Sequence, residues 1–165
     1  MQTQRFVFLE SNEEKKAMVN KKLEEMHVRI ELIRDKGGTY NPALCSPEDV
    51  VELLGEEARS WDREHFLSIA LNTKNRVLGI DTVTIGTLRE ALVHPREVMK
   101  SLILANAHAF ICLHNHPSGD PAPSGEDIAV TRRLNEAGKL LGINLLDHVI
   151  VGAPEHYSLQ ENGLM

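Results

Sequence analysis

The chain holds only two cysteines in 165 residues, and Cys45 and Cys112 have neither redox nor paired-ligand spacing. A disulfide-stapled scaffold and a cysteine-rich zinc module are therefore excluded, and two reduced thiols are expected, with Cys112 buried in an apolar run. Long hydrophobic runs are missing too. No apolar stretch approaches the roughly 20 residues that span a bilayer, and the start has no charged-then-apolar secretory pattern. A cytoplasmic protein without membrane association is expected. Positive charge is in deficit, since 18 Lys and Arg against 24 Asp and Glu leave a net charge of −6. That argues against broad attraction to nucleic acid, leaving room only for a local basic patch such as Arg132-Arg133. Internal repeats and low-complexity segments are also absent. A chain of this length makes one domain with a modest extension and can bury enough apolar surface to be stable without staples.

Against these absences stands one dense stretch, residues 114–127, which reads His-Asn-His-Pro-Ser-Gly-Asp-Pro-Ala-Pro-Ser-Gly-Glu-Asp. The run Ala107 to Leu113 before it is short and apolar, as a buried strand is. Residues two apart in extended chain point the same way, so His114 and His116 converge while Asn115 faces elsewhere. Three prolines then restrict the loop, and Ser124 reads as the cap of a helix with Asp127 three residues on. This folds Asp127 back toward the histidines. Two imidazoles and a carboxylate form a usual three-ligand zinc set whose fourth position stays open, the arrangement of a catalytic site, and an open position implies attack by water. The plainer reading of a His-x-His pair is surface or packing.

His-x-His, seven residues, Ser, two residues, Asp resembles the JAMM motif of the JAB/MPN metallopeptidases. The fuller string His-Asn-His-Pro-Ser-Gly-Asp-Pro-x-Pro-Ser is similar to the RadC-like bacterial branch of that family. The likeness extends in weaker form over roughly residues 43–165, including His94-Pro95-Arg96-Glu97 and Leu146-Asp147-His148. Other zinc motifs do not fit: there is no His-Glu-x-x-His and no Pro-Cys-x-x-Cys, and an HNH nuclease disperses its named residues along a different motif.

The resemblance implies an MPN fold at residues 41–165, with residues 1–40 as an N-terminal helical extension. It also implies one zinc ion per chain on His114, His116 and Asp127, and hydrolysis of a peptide or isopeptide bond in a peptide or protein substrate. In that family the catalytic glutamate stands where a helix gives way to the first strand of a hairpin, the place that Glu64 matches. Ser124 would help stabilise the charge developing on the substrate carbonyl. Glu97 is the rival base, although a carboxylate in a first helical turn already favours the helix dipole. The competing function is a DNA-repair-associated metal-binding protein without peptidase activity. Residues 1–40 show neither the glycine hairpins nor the length of the helix-hairpin-helix region in longer RadC-like chains, which weakens that reading.

Along the chain, Phe6 to Leu9 is a short strand or anchor, and a capping box at Ser11 and Glu14 opens a helix that Gly37-Gly38 closes. Val19, Leu23, Met26, Ile30 and Ile33 form its seam, so residues 12–36 dock on their own domain or on a second copy or partner. Ser46-Pro47 starts a second helix to about Trp61, with Val50, Val51, Leu54, Ala58 and Trp61 on its apolar face. A hairpin follows, Phe66–Leu71 turning at residues 72–75 into Arg76–Ile85. Residues 86–93 connect to a helix from His94-Pro95 to about Asn106, whose Val98, Leu102 and Ala105 face the sheet. The helix opened by Ser124 carries Ile128, Leu134 and Leu141 and ends at Gly142; Leu145 to Val151 is a strand, and Glu155 to Leu159 a candidate edge strand. His148 is a structural histidine or a support behind the site. The remaining histidines, His27, His65, His94, His108 and His156, lack ligand spacing. Local pairing mixed with crossovers makes an α/β domain with a mixed sheet flanked by helices.

Overall fold

The computed structural model describes residues 41–86 and 93–165. The expectations for Phe6 to Leu9, for the seam helix within residues 12–36 and for most of the 86–93 connection lie outside the described residues.

The first helix, α1 (Pro47–Ser60), begins where Ser46 accepts from the Asp49 N–H and Asp49 accepts from the Ser46 N–H, with Pro47 at the first turn. Its buried stripe of Val50, Leu54 and Ala58 follows the four-residue repeat of a helix face. Trp61 stops the helix in an extended conformation, and its half-buried ring stacks on His65 at 4.2 Å.

Next comes the hairpin of β1 (His65–Leu71) and β2 (Val77–Ile85). At its turn the Asn72 side chain accepts from the Lys74 and Arg76 N–H groups, and Asn75 takes a positive φ of 54°. Helix α2 (Pro95–Leu104) starts at His94-Pro95 and buries Val98, Met99 and Leu102. Strand β3 (Ala109–Asn115) is buried at every position. Helix α3 (Gly125–Leu141), β4 (Asn144–Val151) and β5 (His156–Ser158) complete the order.

The sheet runs β2-β1-β3-β4-β5, antiparallel except for the β3–β4 pair, whose parallel pairing requires the α3 crossover. Central β3 explains its own composition: covered on both faces, it reads as one apolar run and not as an alternation. Phe66, Phe110, Cys112 and Leu145 pack with α2 and α3 on one face. Leu67, Ile69, Ile111, Leu113 and Val149 pack with α1 on the other. The result is an α/β domain with a mixed sheet between helices.

The expected α3 face of Ile128, Leu134 and Leu141 holds at Leu134, which is buried, and is corrected at its end. The buried residues of α3 are Asp127, Val130, Thr131, Leu134 and Gly138, while Leu141 is 47 % exposed. Asp127 turns inward at the start of the helix, and Leu141, fourteen residues on and only about 40° round from it, is exposed because it lies beyond Gly138, the last buried residue of the stripe. A Cβ on Gly138 would stand 2.4 Å from the Ile143 carbonyl oxygen and 3.2 Å from the Phe110 ring, so this close approach requires glycine.

Candidate metal centre

His114 sits on β3, Phe66 of β1 opposite it and Ile150 of β4 beside it. His116 extends the same pairing by one residue, its N–H donating to the Val151 carbonyl at 2.9 Å. The third group comes from the start of α3. Ser124 caps that helix by accepting from the Asp127 N–H at 3.2 Å, and the Ser124 N–H donates to Asp127 Oδ2 at 2.7 Å. This reciprocal box fixes the Asp127 side chain. Its other oxygen, Oδ1, is aimed inward and is, among the described residues, the buried side-chain polar atom without a hydrogen-bond partner.

The three groups meet. His114 Nε2 lies 3.0 Å from His116 Nε2 and 3.2 Å from Asp127 Oδ1, and His116 Nε2 lies 3.6 Å from Asp127 Oδ2. Ligands held about 2.0–2.1 Å from a tetrahedral zinc stand about 3.3–3.4 Å apart, so these spacings fit such an ion. The orphaned carboxylate oxygen supports the same fit, because a buried anionic oxygen without a donor calls for a cation. His114, His116 and Asp127 thus form a group able to hold a metal.

Both imidazoles are oriented from behind. His116 Nδ1 lies 2.7 Å from the Asp120 carbonyl, and since a carbonyl only accepts, the ring donates there and keeps its Nε2 lone pair for the site. The proline-bounded loop supplies that carbonyl. It is seated by the Ala153 N–H on the Gly119 carbonyl at 2.9 Å, an approach possible because residue 152 is glycine; a Cβ there would meet the Gly119 oxygen at 2.4 Å. Arg59 of α1 braces the same turn through the Gly152 and Pro154 carbonyls at 3.1 and 3.0 Å. His114 Nδ1 contacts the His148 ring at 2.8 Å, and His148 contacts Thr131 at 2.6 Å. His148 therefore stands directly behind a site histidine, and Phe66 meets it edge-on at 5.3 Å.

Charge follows from this packing. Burial opposes ionisation of Asp127, yet the facing His114 and His116 rings hold its carboxyl well below the usual carboxylate range. His116 is raised above 6.5, chiefly by Asp127, with the Asp120 carbonyl and Glu64 adding to it. Burial, and then repulsion from His114, pushes His148 well below its ordinary value. Burial also raises the Cys112 thiol far out of the reactive range.

Glu64 lies just ahead of β1. Continuing the Phe66–His114 register outward by two residues brings it abreast of His116, and its field reaches that ring. Asn115, which the spacing simply turned away from the histidines, holds the backbone on both sides of Glu64: its Oδ1 accepts from the His65 N–H at 2.8 Å and its Nδ2 donates to the Arg63 carbonyl at 3.1 Å. Glu97 is engaged on α2, with Lys100 at 2.9 Å and Arg96 at 3.0 Å. Lys100 foremost, then Arg96, lowers its carboxyl. Sequence reasoning missed Asn115 and Thr131. For Thr131 the available signal was its position one helical turn after Asp127.

A mixed sheet between helices, with a His-x-His strand end meeting a helix-start aspartate, defines a JAB-type domain with a group able to hold a metal. The RadC-like JAB domain family matches residues 44–164, and the chain belongs to that family. It is 48% identical over 153 residues to a UPF0758 protein of Desulfitobacterium hafniense, covering 91% of this chain and 67% of that one. To a UPF0758 protein of Shouchella clausii it is 49% identical over 142 residues, covering 84% and 62%. To one of Caldanaerobacter subterraneus it is 53% identical over 123 residues, covering 74% and 53%. The chain therefore spans between about half and two thirds of these relatives' length. Among the described residues no helix is long and apolar enough to cross a membrane.

Proposed function

We propose that this chain is a zinc-dependent peptidase that hydrolyses a peptide or isopeptide bond in a protein or peptide substrate. The observation that carries the reading is the convergence of the His114 and His116 Nε2 atoms on the Asp127 carboxylate, one of whose oxygens is buried without a hydrogen-bond partner. His114 and Asp127 side chains are 1% exposed and that of His116 is 14%, so substrate and water approach over His116, on the side where Glu64 lies.

Zinc bound by His114, His116 and Asp127 supplies Lewis acidity, acidifying water toward neutrality and polarising a carbonyl. Glu64 accepts the proton of the attacking water and returns it to the leaving amine. Its half-buried place beside His116, and the Asn115 bonds to the backbone around it, support this role. The pairing of Glu97 with Lys100 and Arg96 accounts for that carboxylate without catalysis. Ser124 caps α3 with an oxygen lone pair and not its proton, so the hydroxyl donates to the oxyanion that forms on the substrate carbonyl.

The test is elemental analysis together with turnover on a panel of peptide and isopeptide substrates, wild type beside Glu64→Gln. One zinc per chain in both proteins, with hydrolysis in the wild type alone, supports the reading. Stoichiometric zinc without hydrolysis, joined to submicromolar binding of plain duplex DNA at physiological salt, would replace it with the repair-assembly function.

A further inference from the structure

Behind the His114 and Asp127 side chains runs a chain of three hydrogen bonds. Thr131 Oγ1 lies 2.6 Å from the Asp127 carbonyl oxygen and 2.6 Å from His148 Nδ1, and His148 Nε2 lies 2.8 Å from His114 Nδ1. Each proton in it can be assigned. A carbonyl only accepts, and two oxygens this close repel unless a proton lies between them, so the Thr131 hydroxyl donates to Asp127. That hydroxyl has no second proton, so His148 must donate from Nδ1 to the Thr131 oxygen. His114, Asp127, Thr131 and His148 are all 0% exposed, and enclosure disfavours a charged His148 ring, whose Nε2 is then bare. The bare nitrogen accepts from His114 Nδ1–H. A neutral His114 is left with its lone pair on Nε2, facing His116 and Asp127.

We propose that Thr131 and His148 are positioning residues of the metal centre, selecting the one neutral tautomer of His114 that can ligate and tying it, through the Asp127 carbonyl, to a second ligand. The hydrogen-bond chain joins two ligands that come from different elements, β3 and α3, without passing through the metal. It therefore sets the His114 tautomer before any ion arrives. His116 reaches the same tautomer by a separate route, through the Asp120 carbonyl. This inference rests on the metal reading for His114, His116 and Asp127 and is independent of peptidase activity.

Thr131→Val keeps the side-chain shape and removes the hydroxyl. His148 then lacks its acceptor, and its proton is free to move to Nε2, which drives the His114 proton onto the nitrogen that must ligate. The experiment is zinc titration of the full chain against a competing chelator, with nitrogen-15 imidazole spectra of the metal-free protein. Wild type should show His114 protonated at Nδ1. Thr131→Val should weaken zinc about 10- to 100-fold and change the His114 and His148 tautomers, and Thr131→Ser, which restores the hydroxyl, should recover both. Folded Thr131→Val with wild-type affinity and tautomers overturns the proposal, as does failure of Thr131→Ser to rescue. If Thr131→Val does not fold, the wild-type spectrum decides: a His114 proton on Nε2 overturns the proposal and one on Nδ1 supports it. A wild type that takes up no zinc overturns the metal reading instead, and the tautomer spectrum still judges the hydrogen-bond chain by itself.

Discussion

Two helices of this domain open with nearly the same four residues, Ser46-Pro47-Glu48-Asp49 at α1 and Ser124-Gly125-Glu126-Asp127 at α3, and both close a capping box. At α1 the Asp49 carboxylate stays near the surface and takes the Cys45 and Ser46 N–H groups at 2.7 and 3.0 Å. At α3 one oxygen of Asp127 takes the Ser124 N–H at 2.7 Å and faces His116, and the other is walled in against His114. The same local chemistry thus yields a plain helix cap in one place and a member of a group able to hold a metal in the other. What differs is the neighbourhood, since α3 begins beside the end of β3 and α1 does not. A cap fixes a rotamer, and the surrounding fold decides what that rotamer faces.

The comparison breaks most visibly at the ligands. His116→Ala and Asp127→Ala should each abolish stoichiometric zinc, whereas Asp49→Ala should leave it unchanged. Full zinc in folded Asp127→Ala, measured by elemental analysis, would reduce the second box to a cap like the first. Next in size is Glu64→Gln, which keeps shape and a hydrogen bond but cannot take the proton. Turnover of a verified substrate should fall by roughly 100-fold or more with zinc retained. If Glu97→Gln loses turnover and Glu64→Gln does not, the two assignments exchange.

A third, smaller effect follows from pH. His116 titrates above its ordinary 6.5 in the metal-free site, and a ligand must be neutral, so protons compete with metal as pH falls through neutrality. Asp127, held well below the carboxylate range, does not compete there. Zinc affinity should therefore drop by up to about tenfold per pH unit on the acid side of the His116 titration, and a flat affinity from pH 8 to 6 would contradict this. The smallest effect separates the two serines. Ser46→Ala should cost about 1 kcal/mol, seen as a lower denaturation midpoint with turnover unchanged. Ser124→Ala should cost a similar amount and also slow turnover, and equal kinetics in the two variants would deny Ser124 any part in the chemistry.

Much of this was legible in local pattern because its causes are local. Period-two spacing puts His114 and His116 on one side of a strand, a serine three residues before an aspartate closes a cap, and turn residues at 72–75 join two strands. The end of the α3 face was misread for the opposite reason. Leu134 and Leu141 lie on nearly one line of the helix, and only docking on Phe110 and the Ile143 carbonyl ends the buried contact at Gly138, short of Leu141.

By itself, then, the sequence determined the mixed α/β class, the capped helix starts and a metal-capable trio, since each depends on neighbours within a few residues along the chain. Tertiary structure alone decided that Asn115 would hold the backbone around Glu64, fifty-odd residues away, and, of the two places the sequence left open for His148, that it would stand behind His114 with Thr131. A hydrogen bond across elements depends on where the sheet brings two segments together, and an asparagine carries no mark in the sequence of the partner it will meet.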